Sequence, residues 1–218
     1  MSQMQNNIVT AIKELSGRRR LVYINYEPAF ALYSSEIKKY DITTDISLSD
    51  TIYNDIIHNI LDKRAIARAM NLLVSKDYSE HELHIKLQDS YYPLECIEQA
   101  IAYVKSFGYL NDERYAANYI AFKALTKSRK QIELFLSGKG IDKDIIEHEC
   151  DLYYSENEEA ELEQILSVMR KKADGFDELG YKEKCKLMNY FYNKGFNSDN
   201  IKKALDIIVD ERYNTYFS

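Results

Sequence analysis

The stretch Tyr109-Leu110-Asn111-Asp112-Glu113-Arg114-Tyr115-Ala116 opens the second copy of an internal repeat. Residues 79–101 lie over residues 128–150 at a constant shift of 49, and these lie over 183–205 at a further shift of 55. Apolar positions coincide: Leu83/Ile132/Leu187, Leu87/Leu136/Phe191, Ile97/Ile146/Ile201 and Ile101/Cys150/Leu205. A turn coincides too, Tyr91-Tyr92-Pro93 against Gly140-Ile141-Asp142 and Gly195-Phe196-Asn197. A helical unit recurring every fifty residues or so reads as an array, and arrays present an extended surface to a large partner. The expected architecture is mainly α, with three tandem three-helix, helix-turn-helix-like repeats in an elongated array.

Working outward, Ile66, Met70 and Leu73 fall at i, i+4 and i+7, one face of a helix. The same triplet recurs as Tyr115, Tyr119, Phe122 and as Leu162, Leu166, Met169, each marking the first helix of a unit. The third triplet follows the second by 47 residues while the second helices are 55 apart, which places an insertion of 55 − 47 = 8 residues at 173–180. Ser79-x-x-Glu82 and Ser155-x-x-Glu158 read as capping boxes. Asp112, Asp142 and Ser198 read as N-caps, and Pro93 suits a first helical turn. Gly108, Gly140 and Gly195 stand where a left-handed residue closes a helix. The first forty residues differ. Runs at 8–15, 20–25 and 29–33 are rich in Ile, Val and Tyr, with a turn at 25–28, and predict a small antiparallel sheet leaning on the helices behind it. A short helix is expected at 35–40 and a connector at 41–48. The expected organisation is a β-rich extension at 1–48, a connecting helix at 49–64, and repeats at 65–108, 109–155 and 156–218.

Composition narrows the function. The chain has 218 residues, 45% hydrophobic and 29% charged, with only 7 Gly and 2 Pro, the balance of a helical globular protein. No apolar run reaches the roughly 18 residues of a membrane span, and the N-terminus lacks the apolar stretch of a signal peptide. Cys96, Cys150 and Cys185 are widely spaced and read as small core or boundary residues in a reducing compartment. His81 and His84 share a helical face without an evident third ligand, so no metal is expected. GxxxxGK[ST], GxGxxG and GxSxG motifs are missing, which points away from a pocket enzyme and from any cofactor. Most of the 19 tyrosines read as structural rings whose hydroxyls reach water.

Charge is polarised. From Arg114 to Lys139 there are six basic residues (Arg114, Lys123, Lys127, Arg129, Lys130, Lys139) and one acid, Glu133. From Asp142 to Glu163 there are ten acids and one base. The basic group, densest at Lys127, Arg129 and Lys130 in a joint between helices, is the candidate partner-binding surface for phosphates or an acidic protein. The net charge of −6 argues against a protein that simply coats nucleic acid.

The ordered motifs resemble the RecX family of recombination regulators from about residue 65 to 208. They are Ser79-Glu80-x-Glu82-Leu83-x-x-Lys86-Leu87, Gly108 through Ala116, Lys139-Gly140-Ile141, and Lys194-Gly195-Phe196 with Ile201 and Ala204-Leu205. The leading segment, with Arg18–Arg20 before a Val-Tyr-Ile strand, looks like the N-terminal extension of some members. The resemblance implies a cytoplasmic, non-enzymatic protein that binds the RecA recombinase filament and modulates it, usually as an inhibitor. Such proteins are expected to lie along the groove of the RecA–DNA filament, with only weak direct contact with DNA. Two departures stand out: Lys127-Ser128-Arg129 replaces a joint that often contains glycine, and Tyr91 replaces the glycine found in the other two turns. The residues alone leave two alternatives open, a stand-alone helix-turn-helix-like DNA-binding protein and an adaptor array for another protein. Nothing in the chain demands more than a monomer.

Overall fold

The computed structural model describes residues 7–157, 159–176 and 178–216, without the side chains of 214–216. The chain divides between Asn111 and Asp112 into two compact units.

The first unit begins with β1 (Asn7–Glu14), β2 (Arg19–Ile24) and β3 (Glu27–Tyr33), followed by α1 (Ser34–Lys39). Asn25 and Tyr26 both take positive φ, 50° and 72°, which makes the tight two-residue hairpin between β2 and β3. Pro28 therefore lies inside β3 rather than in the turn, paired with Tyr23 on an edge strand, where its missing N–H costs nothing. The sheet gains a strand that the sequence did not announce: β4 (Ser47–Leu48) pairs with Asn7 and Ile8, giving the antiparallel order β3-β2-β1-β4. Two residues are too few to display an alternating pattern. The Ser49 hydroxyl caps α2 (Asp50–Asn54), which runs through a π-helical stretch, Asp55–Leu61, into α3 (Asp62–Ser75). α4 (Glu80–Gln88) and α5 (Leu94–Ser106) complete the first repeat. Sheet and repeat share one core, in which Val22, Phe30 and Leu32 meet Ile56, Leu61, Ala65, Leu83 and Ile97.

The second unit holds α6 (Asp112–Lys123), α7 (Arg129–Gly138) and α8 (Lys143–Glu156), then α9 (Ala160–Ala173), α10 (Tyr181–Asn193) and α11 (Ser198–Tyr216). In each trio the first helix packs chiefly against the third: α3 on α5, α6 on α8, α9 on α11. Alanines make that approach close. Ala65, Ala69 and Ala100 are fully buried in the first repeat, Ala116 in the second and Ala204 in the third.

These alanines correct the expected phase of the first helices. Ile66, Met70 and Leu73 only flank the core, Tyr115 and Tyr119 are half-buried, and Phe122 is 73% exposed. The buried sets are Ala116/Ile165, Ile120/Met169 and Ala124/Ala173, each 49 apart, so the inserted connector amounts to 55 − 49 = 6 residues rather than 8. Of the expected triplets only Met169 reaches the fully buried core; the other bulky side chains lie at its flank or outside it, and alanines share the contact with Ile120 and Ile165.

The boundary residues follow local hydrogen-bond chemistry. Ser79 with Glu82 forms a capping box, as does Ser128 with Gln131, and the Asp142 carboxylate accepts from the Asp144 N–H at 2.8 Å. Four assignments move. The Ser155 hydroxyl donates to the Leu152 carbonyl inside α8, so it does not start α9, and its expected partner Glu158 lies outside the described residues. Asn197 rather than Ser198 caps α11, accepting from Asp199 N–H at 2.8 Å. Pro93 is the cap of α5 itself, one residue before its first turn, and Asp112 already lies within α6.

Gly108, Gly140 and Gly195 are left-handed, with φ of 69°, 74° and 81°. Tyr91 takes the same conformation at φ 63°, and its carbonyl accepts from the Ala31 N–H of edge strand β3 at 3.3 Å. At Gly195 a Cβ would also lie 2.7 Å from Cδ and 2.8 Å from Cβ of Lys130, whereas at Gly108 it would meet nothing within 4 Å.

Two stability measurements check this packing. Gly108→Ala is expected to cost about 1–2 kcal/mol from backbone conformation alone. Gly195→Ala is expected to cost at least about 1 kcal/mol more from overpacking, and equal denaturation shifts would contradict the close approach. Phe30→Ala, at a fully buried ring 6.1 Å from that of Tyr53, is expected to cost about 3–5 kcal/mol. Hydrogen exchange should then accelerate in β2 and α3 together; acceleration confined to the strands would show that sheet and repeat do not share a core.

Candidate functional site

The six basic residues singled out in the sequence do not form one continuous patch. Arg114 and Lys123 both stand on α6, nine residues apart, which on an α-helix turns them to opposite sides. Lys123 lays its Nζ 4.3 Å from the centroid of the exposed Phe122 ring. Lys127 lies in the connector before α7, and Lys139 closes the same helix as its C-cap. Their Nζ atoms sit 6.0 Å and 5.3 Å from the centroid of Phe135, which itself stacks on Tyr119 with ring centroids 4.1 Å apart. The fold thus brings together Lys127 and Lys139, twelve positions apart, around one aromatic pair. Burial raises the Tyr119 hydroxyl pKa, and the nearby Lys139 ammonium opposes the rise.

Arg129 is held by neighbours. Its guanidinium pairs with Glu133 at 2.7 Å and Asp151 at 2.8 Å, joining α7 to α8, and lies 5.9 Å from the Tyr154 ring centroid. Burial disfavours its charge, but hydrogen bonds to Glu133 and Asp151 outweigh that effect and the pKa rises. Lys130 runs its aliphatic stem over Gly195 while remaining an exposed residue. Between them in function stands Ser128, fully buried, whose hydroxyl donates to the Lys194 carbonyl at 2.6 Å. The basic joint is therefore also the seam where the second repeat docks on the third.

A related grouping in the third repeat escaped the sequence reading. Lys172 and Lys194 place their Nζ atoms 3.9 Å and 4.7 Å from the centroid of Tyr190. A hydrogen bond with Lys194 is the main cause that lowers the Tyr190 pKa. The signal was available, since Phe135/Lys139 and Tyr190/Lys194 are i, i+4 pairs related by the 55-residue shift. Each ring carries two ammonium groups, an arrangement suited to weak contacts with anions or acidic surfaces.

Other candidates show no such convergence. Among the described residues there is no group of three or more His, Cys, Asp or Glu side chains able to hold a metal, and His81 and His84 remain side chains of α4. Cys96 and Cys150 are buried thiols, and burial pushes the Cys150 pKa up to about 11, away from reactivity. Cys185 is half-buried. No helix among the described residues is long and apolar enough to cross a membrane.

Comparison with known proteins agrees with the helical repeats. Residues 65–103 match the model of the RecX first three-helix domain, and residues 158–205 match that of the RecX third three-helix domain. A regulatory protein RecX from Caldanaerobacter subterraneus subsp. tengcongensis is 30% identical over 201 residues, covering 92% of this chain and 98% of the relative. Another from Clostridium acetobutylicum is 28% identical over 222 residues, covering 95% and 99%. A crystal structure of regulatory protein RecX superposes with a TM-score of 0.62 at 19% identity, covering 91% of this chain and 98% of that one. RecX from Lactobacillus salivarius superposes with a TM-score of 0.62 at 25% identity, covering 67% and 96%. With mainly helical trios behind a small antiparallel sheet, and a 30% identical relative matched nearly end to end, this chain belongs to the RecX family of regulatory proteins.

Proposed function

We propose that this protein is a non-enzymatic regulator that binds the RecA recombinase or its nucleoprotein filament in the cytoplasm and lowers its ATPase and strand-exchange activity. The observation that carries the reading is the match along nearly the whole chain to proteins named regulatory protein RecX. Its candidate contact residues in the second unit are Arg114, Lys123, Lys127, Arg129, Lys130 and Lys139, with Lys172 and Lys194 as a further grouping around Tyr190, spread over more than one side of the unit. Among them, Arg129 acts by holding α7 against α8, and the lysines present charge outward. Each exposed pair contributes about 1 kcal/mol or less, so affinity comes from many contacts along a polymeric partner. The protein works as a monomer, with only weak direct contact with DNA, as the net charge of −6 favours.

The test is a titration of DNA-stimulated RecA ATP hydrolysis and strand exchange with the purified protein. Both rates should fall at amounts comparable to or below RecA; rates unchanged across the titration contradict the reading. A Lys123→Gln, Lys130→Gln double variant removes both charges while keeping the first two methylenes of each stem, and should need about 3–10-fold more protein for half-inhibition, from the modest worth of exposed charges. An unshifted titration, with the circular dichroism melt intact, would remove these two lysines from the contact. Tight, steeply salt-dependent binding to DNA without RecA would instead favour a stand-alone DNA-binding protein.

A further inference from the structure

A cleft in the first unit, between the β2–β3 side of the sheet and α3, takes no part in the reading above. Arg19 and Tyr33 reach it as cross-strand partners on β2 and β3. Arg64, Ala67, Arg68 and Asn71 line the opposite wall, spaced i, i+3, i+4 and i+7 on one face of α3. Tyr92, from the turn before α5, closes one end. The small side chain of Ala67 leaves the middle of the wall open.

The lining contains three guanidinium groups and no carboxylate. Arg64 is fixed in place by an ion pair with Glu36 and lies 4.7 Å from the centroid of the Tyr33 ring. Its partner Glu36 is itself anchored, accepting from the Tyr33 N–H at 2.7 Å. Among the described residues, Arg19 and Arg68 make no ion pair. Burial raises the Tyr92 hydroxyl pKa, and the positive charges of Arg64, Arg68 and Arg19, which line the same cleft, oppose the rise. Like charges gathered in a partly enclosed cleft repel one another, and an anion entering between them relieves that repulsion.

We propose that this cleft binds a phosphate group of a nucleic-acid strand, with Arg19 and Arg68 gripping the phosphodiester oxygens beside Arg64. Arginine forks match a tetrahedral, multi-oxygen anion. Tyr33, 41% exposed beside them, supplies the aromatic surface on which a neighbouring base stacks. A carboxylate would use one fork and leave the ring without a role. The site is separate from the lysine groupings of the second unit and stands whether or not RecA is the partner.

The experiment measures fluorescence anisotropy of a labelled oligothymidylate with the full-length protein at low salt and across a salt series. Binding should weaken about tenfold in Arg19→Gln, Arg68→Gln, with a shallower salt slope, as expected when two phosphate contacts are lost. Arg68→Gln alone, at an exposed position, should show part of the loss if the double variant folds poorly. Ala67→Leu fills the cleft without changing charge and should weaken binding comparably. Loss in the charge variants but not in Ala67→Leu would mean diffuse surface attraction and overturn the site, as would no loss in any variant. Displacement of the strand by polyglutamate at equal charge would overturn the phosphate preference. Inorganic phosphate and ATP should compete only at far higher concentration than unlabelled strand. Equal competition by ATP would make a free nucleotide the occupant and overturn the strand.

Discussion

The buried Ser128 hydroxyl accepts a hydrogen bond from the Gln131 N–H at 3.3 Å and donates one to the Lys194 carbonyl at 2.6 Å. One oxygen thus starts a helix of the second repeat and grips a turn of the third. Neither duty is replaceable by water, because the residue is fully buried and an unpaired polar group there would cost about 1–3 kcal/mol. The rest of the seam follows. Gly195 must be left-handed to turn the chain after Lys194, and it must lack a side chain because the Lys130 stem lies against it. Arg129, next to Ser128, is drawn toward Glu133 and Asp151, so α7 is tied to α8 as well as to the turn. The first unit uses the corresponding turn in a related way, where the carbonyl of left-handed Tyr91 receives the N–H of the sheet's edge strand. The turn between second and third helices is therefore a docking point, not merely a connector.

Much of this fold is legible in the chain because its signals are local. Ser79, Asp142 and the three glycines act on atoms within a few residues, and the two-period strands of the extension declare their own hairpin. Where the decisive contact is remote, the sequence misleads. The bulky triplets of the first two repeats mark the flank of their first helices, and of the third only Met169 reaches the core, since nothing local shows that alanine lets two helices approach. Ser155 satisfies its hydroxyl within α8, a choice the Ser-x-x-Glu pattern cannot reveal. β4 exists only because Asn7 and Ile8 offer it an edge.

The candidate site was legible in composition but not in arrangement. Six basic residues against one acid did identify a cationic stretch, yet helical geometry separates Arg114 from Lys123 and commits Arg129 to internal ion pairs. Grouping depends on rings, with Phe135 gathering Lys127 and Lys139, and Tyr190 gathering Lys172 and Lys194. The arginine cleft is harder still to foresee, because it joins Arg19 to Arg68 across 68 − 19 = 49 residues. The lysine groupings draw on helix ends and the connector before α7, with Lys139 and Lys194 as C-caps, whereas the arginine cleft is built mainly on β2, β3 and α3.

Native-state hydrogen exchange on Ser128→Ala tests the shared hydroxyl most directly. If one oxygen serves both roles, protection should fall together in the first turn of α7 and in the turn around Lys194 and Gly195, with the bodies of α6 and α11 little changed. Loss of protection confined to the start of α7, with the 194–195 turn as protected as before, would contradict it.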